Sequence, residues 1–401
     1  MILVLGALVA LGPLTIDMYL PALPKIADEL TVSSSVAQLT LTGTLAGLAL
    51  GQLIVGPLSD SLGRKRPLLA GIVLHMVASV LCVLAPDVTT LTLARGLQGM
   101  GAAAASVVAI AVVGDLFADS AAATVMSRLM LVLGVAPVLA PSLGAAVLLR
   151  ASWHWVFVVL VLVAGGLLVT AVLALPETLA VSHRRPLRVR SILGTYAELL
   201  RDARFVILVL VAALGMSGLF AYVSAAPFVL QGHFGLDQQA FALVFAAGAI
   251  ALIGATQFNV VLLRWFTPQA ITVVALAAAL AAALVFLGVT LAGVGGLAGF
   301  VASVLAVLTA MGLVLPNAPA VALTRHPDAA GTAAALLGAA QFGLGAAVAP
   351  MVGALGNGAV ALAAVMTVGM TVALGALLAV GIGGGAERDD QTMFDAVVEP
   401  A

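Results

Sequence analysis

Two ionisable residues stand inside long apolar runs of this chain, and both types can take part in proton chemistry. Asp17 closes the uncharged stretch Met1 to Ile16, within PLTIDMYLPALPK, Pro13 to Lys25. Arg95 stands in LTLARGLQGMGAA, Leu91 to Ala103. A carboxylate wetted alternately from two faces can load and release a proton. A persistent guanidinium partner opposes loading, so loading then requires the two groups to separate. The plainer use of the same pair is a permanent ion pair that fixes two helices.

The elements that hold these groups follow from composition. Of 401 residues, 63% are hydrophobic and only 8% charged, against about 25% charged in a soluble domain. Such a chain belongs in a bilayer. There an ionisable group costs from about 2.5 kcal/mol upward by insertion scales and marks function by default. The 42 glycines suit closely packed membrane helices. A net charge of −1 leaves no basic face for nucleic acid. Neither the single cysteine, Cys82, nor the five histidines show metal-ligand spacing. No metal site and no cofactor are expected. The sequence lacks a phosphate loop of the form GxxxxGK[ST], paired catalytic carboxylates and GxSxG. ATP as driver, an enzyme and a sensor with an added soluble domain are therefore disfavoured, and a purely structural protein leaves Asp17 unexplained.

A membrane helix needs roughly 20 apolar residues. Cutting at charges, prolines and polar clusters gives twelve spans, near 1–22, 36–57, 67–85, 89–115, 122–149, 154–175, 204–230, 239–263, 268–291, 294–320, 329–355 and 358–383. The N-terminus lacks the basic region of a cleaved signal peptide, so the first run is read as a span. The expected fold class is an all-α membrane protein of twelve transmembrane helices in two six-helix halves, 1–176 and 204–383. A cytoplasmic linker, 177–203, joins them, and a disordered acidic tail, 384–401, follows. With both termini inside, inside loops carry thirteen Lys and Arg residues and outside loops only Lys25 and Arg150. That bias predicts cytoplasmic termini. At about 1.5 Å per residue, Asp17 and Arg95 then lie on the order of 10 Å below the outer surface and can share a layer. Arg95, Gln98, Ala102 and Ser106 follow one helical face. That face is a cavity wall, or its polar groups are glue between helices.

Fixed motifs sharpen this. GPLSDSLGRKRPL, Gly56 to Leu68, resembles the signature loop of the major facilitator superfamily, with Ser61 where an Arg is usual. RGLQGMGAA, Arg95 to Ala103, resembles the superfamily's fourth-helix motif. GVAPVLAPSLGAAV, Gly134 to Val147, resembles the Gly/Pro motif of its proton antiporters, through Gly134, Pro137, Pro141 and Gly144, with Ala140 where a Gly is usual. TIDMYLPALP (Thr15 to Pro24) and SWHWVF (Ser152 to Phe157) are similar to the Bcr/CflA, or bicyclomycin-resistance, group of drug:proton antiporters. The resemblance is dense in the first half and thinner in the second.

That resemblance implies a multidrug efflux transporter of the inner membrane, working as a monomer by alternating access. Small amphipathic compounds would leave in exchange for protons. It implies proton coupling at Asp17 with Arg95, and a cytoplasmic gate from Gly56, Asp60, Gly63, Arg64 and Asp115. In that gate Asp60 caps the eleventh helix near Gly331, and Arg64 pairs with Asp115. Substrate contacts are expected from Tyr19, Gln38, Thr42, Gln98, Met216, Phe220, Tyr222, Ser224 and Asn317, since an apolar cavity with a few polar groups suits varied drugs. Ordinary core packing explains any one of these as well. Trp153, His154 and Trp155 are read as an anchor at the membrane interface. A superfamily transporter for a metabolite or nutrient is the alternative, though the second half lacks charges within its spans.

Overall fold

The structure is a computed structural model that describes residues 1–117, 119–184, 189–326 and 329–380. The tail read from residue 384 onward lies outside the described residues. Fourteen α-helices run in chain order: α1 (Ile2–Asp17), α2 (Leu23–Glu29), α3 (Ser34–Leu62), α4 (Lys65–Val83), α5 (Val88–Leu116), α6 (Asp119–Leu148), α7 (His154–Ala174), α8 (Val189–Arg201), α9 (Ala203–Pro227), α10 (Gln238–Leu262), α11 (Pro268–Ala292), α12 (Gly296–Leu323), α13 (Ala330–Ala354) and α14 (Ala359–Ala379). No strand occurs among the described residues. Among the described residues, twelve segments are long and apolar enough to cross a bilayer. This is the only open-ended architecture that satisfies every backbone amide in hydrocarbon.

Helix starts are set by side chains that accept from free amides. Ser33 caps α3, Asp87 caps α5, Asp202 caps α9, Asp237 caps α10 and Thr267 caps α11. The first span differs from expectation. Its helix stops at Asp17, and the chain continues through a 3-10 turn, Leu20–Ala22, into α2, ending at Glu29 and not near Pro24. Pro21 and Pro24 sit in the first turns of the new elements. A missing N–H costs nothing there but would interrupt one continuous helix. Thus Asp17 lies at a break in the span.

Small residues bring helices together. α3 crosses α5 where Gly47 meets the Gly96 carbonyl and Gly99 meets the Thr44 carbonyl, so closely that a Cβ at either glycine would overlap backbone. The two halves meet through α3 on α13 and α6 on α10. Alternating crossings place Ile2, Leu175 at the end of α7, Ala203 at the start of α9 and Ala379 at one end of the bundle, here termed the linker end.

Candidate functional site: a buried arginine, a bare carboxylate and two clusters of locks

Arg95 is completely buried. Its Nη2 donates to the Thr15 carbonyl (2.9 Å) and its Nη1 to Gln98 Oε1 (2.5 Å). The acceptor on Thr15 is available because α1 ends two residues later, and the last carbonyls of a helix have no partner within it. The guanidinium carbon lies 4.1 Å over the Tyr19 ring and 5.6 Å from the Phe157 ring centre. Two aromatic faces thus bear on the cation. Its Nε has no partner among the described residues.

Asp17 is 5% exposed. The structure brings it into the layer of Arg95, since Thr15 is bonded to the arginine, but the two do not pair. Among the described residues no ion pair or hydrogen bond engages the Asp17 carboxylate. A carboxylate in a membrane span without a protein donor is a group whose charge is not fixed by the fold.

Residues that the sequence did not single out complete the arginine's seat. Gln98 Nε2 donates to Ser79 Oγ (2.7 Å), and Ser79 Oγ donates to the His75 carbonyl (2.7 Å). His75 Nε2 lies 2.9 Å from Thr15 Oγ1, and Thr15 Oγ1 donates to the Leu11 carbonyl (2.6 Å). The only cue for His75 and Ser79 was their spacing of four within one apolar span, which puts both on one face.

The structure does not bring the expected substrate contacts together in one group. Tyr19 is fully buried, with its hydroxyl on Thr40 Oγ1 at 2.8 Å, and Gln98 belongs to the Arg95 network. Gln38 bridges the halves at the far end: its Nε2 donates to the Ser224 carbonyl (3.1 Å) and to Asn357 Oδ1 (2.8 Å). Ser224 Oγ donates to the Ala349 carbonyl. Asn317 faces Asn259 across α12 and α10, donating at 2.6 Å, and also donates to the Leu313 carbonyl. Phe220 packs on Phe342 and Tyr222 stacks on Phe245. The Tyr222 hydroxyl and Thr42 Oγ1 are buried without partners among the described residues, and Met216 is half-buried. An apolar cavity of about 210 Å³ opens between α9, α13 and Leu200, and none of these residues lines it.

At the linker end, the expected Arg64–Asp115 pair is formed, Nε to Oδ2 at 2.8 Å, and Arg64 Nη1 also reaches Asp60 Oδ1. Thr178 donates to the same Asp115 oxygen. Glu177 accepts from the Arg64 and Lys65 amides, so the segment after α7 latches the start of α4. Gly63 has φ +89°, and a Cβ there would strike the Glu177 carboxylate. Some burial pushes the Glu177 carboxyl up, but amide donors and Arg184 outweigh it and hold it below the usual range. Asp60 does not cap the eleventh span. It accepts from Arg64, and α13, which starts at Ala330 with Ala329 at its cap position, has no side-chain cap among the described residues. Gly56 has open space around it. In the second half, Asp202 at the start of α9 pairs with Arg325 (2.9 Å) and with His326 (3.0 Å).

The Gly/Pro motif lies along α6, which packs on both α1 and α10. Gly144 faces the Met18 carbonyl, and Gly134 faces Ile253 of the other half. Trp153 corrects the interfacial reading: it is 2% exposed, donates to Glu29 Oε2 at 2.8 Å and stacks on His154, tying α2 to α7. Trp155 is 55% exposed.

Comparison with known proteins agrees with this architecture. The Major Facilitator Superfamily profile matches residues 5–350. An uncharacterized MFS-type transporter of Bacillus subtilis strain 168, YdgK, is 38% identical over 94% of both chains. A bicyclomycin resistance protein homolog of Haemophilus influenzae is 33% identical over 86% of both. The multidrug resistance protein MdtL of Shewanella oneidensis is 30% identical over 93% of both. The human organic anion transporter MFSD10 superposes with a TM-score of 0.71 at 18% identity, covering 94% of this chain and 98% of its own.

Proposed function

This chain belongs to the major facilitator superfamily and is a multi-pass membrane transporter, and we propose that it exports small amphipathic drugs in exchange for protons. The observation that carries the reading is Asp17: a carboxylate in a transmembrane segment, 5% exposed, with no partner among the described residues. An ion-paired carboxylate is held in one charge state. A bare one at a helix break changes state when water reaches it from one face or the other. The names of the Haemophilus and Shewanella relatives favour drugs as cargo.

In this reading the protein sits in the inner membrane as a monomer, with both termini cytoplasmic as the Lys and Arg bias indicates. Residues 1–176 and 204–383 act as the two moving halves, with 177–203 as their linker. The far end is then periplasmic. The inter-half bonds Gln38–Ser224, Gln38–Asn357 and Gln231–Pro21 close that end in the present state. The linker end carries Arg64, Asp60 and Asp115 within the first half only. A drug enters between the halves from that side, with Thr42, Met216 and the Tyr222 hydroxyl as its contacts. Asp17 gives up its proton as the drug binds and is reloaded when the far end opens. Each proton moving inward supplies about 2.3 kcal/mol per 100 mV.

Proteoliposomes with an imposed proton gradient test this. Chloramphenicol, bicyclomycin or tetraphenylphosphonium should move against the gradient of protons, and collapse of the gradient should stop net movement. Movement that ignores the gradient identifies a facilitator, and co-directional movement identifies a symporter.

A further inference from the structure

Helix α8 lies between the two halves in sequence and touches both in space. It packs on α9 and α13 of the second half. Leu199 is buried there, and Leu200 lines the apolar cavity together with Phe205, Leu336 and Ala340. From that seat Tyr196 reaches the first half, where its hydroxyl donates to the Leu53 carbonyl of α3 at 3.2 Å. Gln52, the neighbour of Leu53, stands against Gly338, which lies between Leu336 and Ala340 on α13. The hydroxyl therefore meets α3 at the level where α3 meets α13, on the seam between the halves.

The sequence explains why that carbonyl is free to accept. In an α-helix a carbonyl accepts from the amide four residues on. Four residues after Leu53 stands Pro57, inside α3. Proline has no N–H, so the helix supplies no such donor, and a buried carbonyl without one is costly. Tyr196 supplies it from another element. Thr256 serves the Gly312 carbonyl, four residues before Pro316, in the same way. Thr256 and Gly312 belong to one half, however, whereas the Tyr196 bond joins α8, seated on the second half, to the first. A hydroxyl bond already at 3.2 Å does not survive a slide of α3 against α13 by about 1 Å. We propose that Tyr196 is a positioning residue, the clasp by which α8 holds α3 and α13 in the far-end-closed arrangement. This rests on the reading of the halves as moving bodies.

The test reads the ratio of far-end-closed to far-end-open protein, from distances between spin labels on the far-end turns of full-length protein in nanodiscs. Tyr196→Phe keeps the ring and removes only the hydroxyl. Pro57→Ala gives α3 its own amide for the Leu53 carbonyl, so that losing the hydroxyl then strands nothing. The proposal expects Tyr196→Phe to lower the ratio by about threefold to tenfold, the shift of one net hydrogen bond. In the Pro57→Ala background the same change should move the ratio by less than about twofold, since the two sites are coupled through one carbonyl. A ratio that Tyr196→Phe leaves unchanged or raises overturns the proposal. So does an equal effect in both backgrounds, which is what a tyrosine that only packs against its neighbours gives. A wild type that keeps one far-end distance with and without tetraphenylphosphonium defeats the moving-halves reading itself and this inference with it, an outcome distinct from the other two.

Discussion

The guanidinium of Arg95 lies 4.1 Å over the ring of Tyr19, and not against the carboxylate of Asp17. This separates two roles that the sequence left joined. Arg95 is anchored by carbonyl, amide and ring, whereas Asp17 is anchored by nothing among the described residues. Arg95→Lys tests the anchoring. An ammonium cannot supply two diverging donors and a flat face at once. Export by Arg95→Lys should fall at least tenfold while Asp17 remains intact, as measured by drug efflux from proteoliposomes at matched protein density.

Gln38 joins the halves at the far end through Ser224 and Asn357. Gln38→Leu removes both bonds while nearly preserving size. At about 1 kcal/mol for each net hydrogen bond, the far-end-closed population should lose roughly tenfold or more against the far-end-open one. Distances between spin labels placed on the far-end turns of the two halves read this directly. An unchanged distance distribution would show that the bridge does not hold this end shut.

Two glycines from different motifs should behave oppositely. At Gly144 an added methyl meets the Met18 carbonyl, where backbone of α1 has no easy retreat. Gly144→Ala should cost about 1–3 kcal/mol, the range for overpacking, seen as a lower melting temperature in detergent. Gly56 has nothing within reach. Gly56→Ala should leave the melting temperature unchanged or raise it slightly, because alanine is the better helix former.

The Asp202 cluster gives a pH dependence. Some burial pushes its carboxyl up, but bonds from Arg325, the Phe205 amide and His326 hold it below the usual range. A depressed carboxylate contributes stability that is complete above its unfolded value, about 3.9, and is lost as pH falls through the lower folded value. The melting-temperature gap between wild type and Asp202→Asn should therefore carry the full Asp202 contribution at pH 5. It should close in acid below about pH 4.

Legibility followed the cost of placing each group. Asp17 and Arg95 announced themselves because charge in hydrocarbon is expensive, and the twelve spans because their apolar runs are long. The break after Asp17 was marked by Pro21 and Pro24, although helix continues beyond them to Glu29. His75, Ser79 and Thr15 were silent: each is neutral, so an apolar run tolerates it, and only contact between three helices gives it a role. Asn259 was missed for the same reason, although it answers Asn317. Glu177 was read as linker, because its work on the Arg64 amide depends on the chain folding back. Trp153 illustrates the converse. An aromatic beside a span end suggests an interface, but Glu29 draws it inside.

The most direct measurement is drug-induced proton release from detergent-purified protein near neutral pH, wild type against Asp17→Asn. The account predicts release by wild type on adding bicyclomycin, a phenicol or a lipophilic cation, and no release by the variant although it still binds the drug. Equal release from both proteins would place the exchanged proton elsewhere and contradict the role given to Asp17.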